Sequence, residues 1–203
     1  IQKWKAEGEM EEDIQRSLKS HERQQENIIL IRRTFPESMF IARDDITREV
    51  VSQHQAVISA GGDDHFQYVS HFLDGTPIIG INNDPLTSDG ALLYFLPSDA
   101  ESLRHDMERD AFHTEEWPRL EGELHSGKNV TKLERAVSQL SIKTDDPDGM
   151  YRHNLEYRKI CEHQRGDGFL IATGAGSTGW FKSGYKYISP HCYKFPRTDS
   201  LAR

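Results

Sequence analysis

Residues 57–73 read VISAGGDDHFQYVSHFL: a β-branched run stops at two glycines, two aspartates follow, and a helix-like segment begins. A buried strand that turns through bare backbone into a helix is the opening half of a parallel βαβ unit, and this stretch constrains the fold more than any other. Phe66, Val69, Phe72 and Leu73 recur at helical spacing, which predicts a helix over 64–73 lying on a sheet. PIIGIN at 77–82 reads as the next buried strand. Upstream, QAVISA at 55–60 is a strand, 44–53 a polar helix and SMFIAR at 38–43 a short strand. The alternation over 38–82 predicts a Rossmann-like α/β domain with a parallel sheet.

The flanks read differently. Residues 7–33 form a helix with a thin apolar stripe of Ile14, Leu18, Ile28 and Ile31, and its acidic start suits the positive end of the helix dipole. A helix spans 98–112. After it come a hairpin turning near Ser126-Gly127, strands in AVSQLSIKT and GFLIAT, and turn chemistry in DDPDG at 145–149. The expected organisation is an α/β domain at 1–96 and a β-rich, incomplete domain at 97–203. The chain opens at Ile1 rather than Met, and the expectation is a fragment with residues missing.

The net charge of −8 argues against nucleic acid as a partner, because phosphate backbones are bound through a basic footprint. No apolar run approaches a membrane span. Two distant cysteines, Cys161 and Cys192, fit a reducing, cytoplasmic setting, with the mitochondrion as the alternative if a targeting segment precedes Ile1. The histidines show no metal-ligand spacing. DDPDG lacks the glutamate that would close a calcium loop, since Leu155 stands in that place.

Two places carry candidate chemistry. At Gly61-Gly62-Asp63, glycine allows close approach, and free N–H groups at a helix start attract phosphate. A carboxylate there can hold Mg²⁺ or take a proton from a hydroxyl; alternatively Asp63 or Asp64 only caps the helix. The second place is RGDGFLIATGAGSTGWFKS, 165–183. Gly174, Gly176 and Gly179 fit G-x-G-x-x-G, but Gly184 and Pro190 interrupt the helix that a dinucleotide fingerprint requires.

Together these pieces resemble the NAD kinase family. Gly61-Gly62-Asp63-Asp64 stands where the family has G-G-D-G, and Gly80-Ile81-Asn82 where it has G-[IV]-N. NNDPLTSDGAL at 82–92 is similar to the N-x-D-P form of the branch with mitochondrial and plant members. Gly166-Asp167-Gly168 and TGAGSTGWFKS follow in the family's order. The resemblance covers roughly residues 38–183 and implies an α/β domain, a β-rich domain and a site between them. It implies transfer of the ATP γ-phosphate to the adenosine-ribose 2′-hydroxyl of NAD, with Mg²⁺. Small-molecule nucleotides are the implied partners, and the complete chain would form a homo-oligomer. Asp63 would be the proton acceptor or metal-linked carboxylate. Gly61, Gly62, Asp64 and Asn82 would line the nucleotide, Arg165 and Asp167 would contact the dinucleotide, and Thr178 and Ser183 would line the adenosine side.

The sequence also departs from the pattern. Asp64 replaces the last glycine, and His65 the usual threonine. The family's A-L-N-[ED] falls on Ala136-Val137-Ser138-Gln139, so Ser138 and Gln139 replace the amide and the carboxylate that would hold NAD. These changes favour a second reading: a catalytically impaired NAD kinase-fold protein that binds nucleotide or a partner without turnover. At Asp64 a carboxylate about 6 Å from a phosphate charge, at an effective dielectric near 20, costs roughly 3 kcal/mol. On that footing Asp64→Gly strengthens nucleotide binding at least tenfold.

Overall fold

The computed structural model describes residues 11–145 and 149–182. The chain divides into two compact units, Ile1–Val137 and Ser138–Arg203.

The first unit opens with α1 (Glu11–Thr34). Glu11, Glu12 and Asp13 sit in its first turn and Arg32 and Arg33 in its last, which complements the dipole at both ends. Pro36 follows and stops the helix. Arg104 donates to the Thr34 carbonyl at 2.8 Å, satisfying one of the orphan acceptors at that end. Ile31, with Phe35 just beyond, enters the core.

The expected strand at 38–43 does not form. The segment is irregular up to a single 3₁₀ turn at Arg43–Asp45. Its one aromatic ring, Phe40, lies under the Arg32 guanidinium, 4.9 Å from the centroid, and is spent on a helix contact rather than on a sheet. The helix expected at 44–53 shrinks to α2 (Arg48–Val51). Thr47 breaks it by accepting the Val50 N–H at 3.2 Å, the cap role that a threonine side chain favours over a helix interior.

The predicted βαβ unit does form. Strand β1 (Val57–Gly61) pairs in parallel with β2 (Ile78–Asn82), in register from Val57↔Ile78 to Gly61↔Asn82. Helix α3 (Asp63–Ser70) crosses between them, with Phe66, Val69 and Leu73 buried. Gly80 leaves the space that Phe66 and Leu93 fill. The far edge of β2 takes Phe95, through Asn82 N–H to the Phe95 carbonyl at 2.8 Å and Phe95 N–H to Gly80 at 3.2 Å. Ile31, Phe35, Ile81, Ala100 and Leu103 form the core, with Ile58, Ile79 and Phe95 against it.

The unit does not end at residue 96. Helix α4 (Ala100–Glu108) buries Ala100 and Leu103 against α1, which ties residues after 97 to the first unit. It stops short of 112 because Asp110 takes a left-handed φ of 53°. The hairpin β3 (Glu123–Ser126) and β4 (Asn129–Lys132) turns at Gly127, φ 60°, as expected. An antiparallel bridge between Leu120 and Ala136 closes the unit.

In the second unit the two expected strands form, and β5 (Gln139–Lys143) pairs antiparallel with β8 (Gly168–Ala172). Between them lies a hairpin that the sequence reading did not single out: β6 (Tyr151–Tyr157) and β7 (Ile160–Gly166), turning at Arg158, φ 56°. Its charged outer face hides the alternation. No helix of the described residues is long and apolar enough to cross a membrane.

Candidate functional site

The strand-to-helix junction places its carboxylates in two different settings. Gly62 is the N-cap of α3, with extended backbone, and its carbonyl accepts the Phe66 N–H at 3.1 Å. Asp63 is the first helical residue. Its carboxylate accepts the Ala91 N–H at Oδ2 (3.0 Å) and the Leu92 N–H at Oδ1 (2.9 Å). Asp63 therefore grips the loop after β2. Each of its oxygens keeps a second lone pair. Asp64, one residue on, is exposed and helical, without the positive φ that glycine would serve.

The two glycines are filled from within the protein. A Cβ on Gly61 would stand 2.8 Å from the Cβ of His65, one turn ahead, and one on Gly62 would stand 3.2 Å from the Ser88 hydroxyl. Burial, and then the nearby Arg43 charge, push the His65 imidazole below its ordinary value.

The loop at 82–92 is held by a chain of polar contacts. Asn82, Asn83 and Asp84 are all buried. Asn82 donates to the Ser88 carbonyl at 2.9 Å and accepts the Asp84 N–H at 3.3 Å. The backbone N–H groups of Thr87 and Ser88 bond the Asp84 carbonyl. The Asp84 carboxylate takes both prongs of the Arg23 guanidinium, at 2.9 and 3.0 Å, and the hydroxyls of Ser20 and Thr87. Arg23 first, then the two hydroxyls, hold this carboxyl well below the usual range against the cost of burial. Asn27 donates to the Asn83 carbonyl, and Asn83 to that of Gln24. Asn82, expected against the nucleotide, thus spends its side chain on the loop. Ser20, Arg23, Asn27 and Asp84 were not anticipated as site residues. For Ser20, Arg23 and Asn27 the signal was polar side chains recurring along one side of an otherwise solvated helix.

In the second unit, the Ser138 carbonyl accepts both the N–H and the hydroxyl of Thr173, and the Thr173 hydroxyl accepts the Gly176 N–H. Ser138 and the TGAGST turn are thereby brought together. Gln139, paired with Ala172 beside that turn, carries a buried amide oxygen with no hydrogen-bond partner. Residues Ala175–Thr178 form a 3₁₀ turn, with the Thr178 hydroxyl on the Ala175 carbonyl. Arg165 is exposed on β7 opposite Arg152. The Asp167 carbonyl accepts the Thr144 N–H at 3.2 Å. Gly168 has φ 147°, and a Cβ there would overlap the Ile142 carbonyl, so the second glycine of G-D-G is demanded by strand packing. Ser183 and Cys192 lie outside the described residues.

Among the described residues, no three His, Cys, Asp or Glu side chains gather to hold a metal ion. A resident Mg²⁺ cage is therefore not offered. Mg²⁺ seldom uses one, since it is commonly held by one or two carboxylates and the substrate phosphates.

No family model matches the chain. Among curated proteins, it is 35% identical over 136 residues to NAD kinase 1 of Oceanobacillus iheyensis, covering 63% of this chain and 48% of that protein. It is 27% identical over 143 residues to the NAD kinase of Thermomicrobium roseum, covering 69% and 47%. Over roughly two thirds of its length the chain is similar to NAD kinases, and it diverges from them. It spans about half the length of the curated relatives it matches. The crystal structure of an NAD kinase from Archaeoglobus fulgidus in complex with ATP superposes with a TM-score of 0.61 at 22% identity, over 77% of this chain and 60% of that one. That likeness is one of fold, and it identifies the α/β unit and the β-rich unit as parts of the NAD kinase fold.

Proposed function

We propose that the chain belongs to an NAD kinase-type phosphotransferase that moves the γ-phosphate of ATP to the 2′-hydroxyl of the adenosine ribose of NAD, giving NADP and ADP. The observation that carries this is the setting of Asp63. Its carboxylate is oriented by two main-chain N–H groups at the C-terminal end of a parallel strand, where ligands of α/β folds bind. The proteins it resembles bear the name NAD kinase.

In this reading the ribose 2′-oxygen attacks the γ-phosphorus while its bond to the β–γ bridging oxygen breaks. The hydroxyl proton passes to a free lone pair of Asp63. The first-turn N–H groups of α3 supply donors for phosphate oxygens. Mg²⁺ would accompany the ATP substrate and neutralise phosphate charge, and Asp63 would be the carboxylate to hold it if it were not the proton acceptor. Within the second unit, Ser138 seats the turn that carries Thr178. Positioning and charge neutralisation are most of what phosphoryl transfer requires. The same reading makes the protein a cytoplasmic homo-oligomer, and light scattering would show the oligomer as a mass at least twice that of the polypeptide measured.

Incubation with ATP, Mg²⁺ and NAD should yield NADP, and Asp63→Asn should cut turnover about 10²–10⁴-fold, the usual worth of a general base. A folded sample that yields no NADP favours the second reading, a nucleotide binder without turnover, which Ser138 and Gln139 in place of an amide and a carboxylate support. In that case a nucleotide at 100 times its Kd should still stabilise the protein by about 2.7 kcal/mol. No thermal shift with NAD, NADP or ATP would defeat both readings.

A further inference from the structure

We infer that Arg23, on the opening helix, is a positioning residue for the Asp63 carboxylate, acting through the loop at 82–92. This rests on the phosphotransferase reading for its catalytic consequence, but not for its structural one.

The geometry runs continuously from one residue to the other. The Arg23 fork meets Asp84 through Nε–Oδ1 at 2.9 Å and Nη2–Oδ2 at 3.0 Å. Two parallel bonds fix an orientation as well as a distance, which a single contact does not. Arg23 is 29% exposed at its side chain and Asp84 3%, so water screens the pair weakly. From Asp84 the constraint passes along the chain. Its carbonyl holds the Thr87 and Ser88 N–H groups, and the Asn82 amide holds the Ser88 carbonyl. Two residues beyond Ser88 comes Gly90, whose left-handed φ of 60° lets the backbone pass against the Asn82 side chain. The next two N–H groups, Ala91 and Leu92, are the pair that Asp63 receives. The nearest alternative role for Arg23 is to anchor α1 to the unit. Asn27 and Gln24 already make anchoring contacts with Asn83. The fork on Asp84 adds aim: it sets where the loop leaves α1, and so where its two donors meet the carboxylate.

The test is residue-resolved hydrogen exchange together with steady-state kinetics. In Arg23→Ala, the Ala91 and Leu92 amides should exchange at least tenfold faster, while those of Val69 and Ile81, in α3 and β2, stay within twofold. Arg23→Lys supplies a point charge without the fork and should give an intermediate, at least threefold, acceleration at the same two amides. If the alanine variant does not fold, the lysine variant carries the test. Uniform acceleration across the unit would show Arg23 to be a mere anchor, and no acceleration would show the loop to be independent of it. Either result overturns the inference. In the kinetic arm, kcat should fall at least tenfold with KM for NAD within threefold, and partly recover with lysine. A raised KM at unchanged kcat overturns the positioning role. If the unaltered protein makes no NADP, the proposed function fails, and the exchange arm still decides whether Arg23 sets the loop.

Discussion

Gly176 lies against the carbonyl of Ser138, so close that a Cβ at position 176 would overlap that oxygen. The same carbonyl takes the N–H and the hydroxyl of Thr173, so this turn has no room to retreat. Gly176→Ala should destabilise the second unit by about 1–3 kcal/mol, the usual cost of overpacking. Urea denaturation followed by tyrosine and tryptophan fluorescence would measure it. A loss below 0.5 kcal/mol (roughly the scatter of neutral surface changes) would mean that the turn is not seated on Ser138.

Gly90 and Gly127 form a matched pair. Both have φ 60°, but a Cβ on Gly127 meets open space, whereas one on Gly90 runs into the Asn82 side chain. Gly127→Ala should therefore cost only the left-handed backbone term, about 1–2 kcal/mol. Gly90→Ala should cost that and a further overpacking term of about 1–3 kcal/mol. Equal losses in a denaturation series would contradict the packing of Gly90 on Asn82.

Asp64 is exposed, so water surrounds its charge. At a dielectric near 80, a carboxylate about 6 Å from a phosphate charge costs about 0.7 kcal/mol rather than the roughly 3 kcal/mol expected at an effective dielectric near 20. Asp64→Ala should change the affinity for MgATP less than tenfold by isothermal titration. It should also lower stability by about 0.3–1 kcal/mol, since a negative charge in the first turn of α3 suits the helix dipole. A gain of tenfold or more would mean that Asp64 turns toward the nucleotide.

Acid should weaken the fold in two separate windows. Burial lowers the pKa values of His65 and His71. A base whose folded pKa is depressed binds fewer protons folded than unfolded. The stability it contributes is whole above the unfolded value, about 6.5, and is lost as pH falls below it. Asp84 is also depressed, so its contribution holds above about 3.9 and fades only below that. Denaturation midpoints should thus decline between pH 7.5 and 5.5, and a His65→Gln, His71→Gln double variant should flatten that decline. A persisting slope would place the titrating groups elsewhere.

The Arg23–Asp84 pair should be costly to break from one side only. Asp84→Asn leaves a guanidinium facing a neutral amide and removes an acceptor from Ser20 and Thr87. Removing one partner of a buried pair typically costs about 3–5 kcal/mol, toward the lower end here because Arg23 is partly exposed. Thermal or chemical denaturation would read it, and a change under 1 kcal/mol would mean that the pair adds nothing beyond a surface bridge.

The strand, the Gly61-Gly62 turn and α3 were legible because period-2 and period-3.6 patterns are local, and because Phe66, Val69 and Leu73 obey the second wherever the helix is placed. The α/β class and the relation to the NAD kinases followed from those residues and from the spacing of short motifs. Residues 38–43 show the limit. Their pattern allows a strand, but a strand exists only where a neighbour's N–H and C=O groups are free to pair, and Phe40 is taken up by Arg32 instead. The partners of the site residues were hidden for the same reason. That Asp63 would hold the Ala91 and Leu92 amides, that Asn82 and Asp84 would turn inward, and that Arg23 would meet Asp84 from 61 residues away are all contacts across long loops. Sequence alone determined which groups could donate or accept. Which donor met which acceptor was decided only when burial removed water as the competing partner.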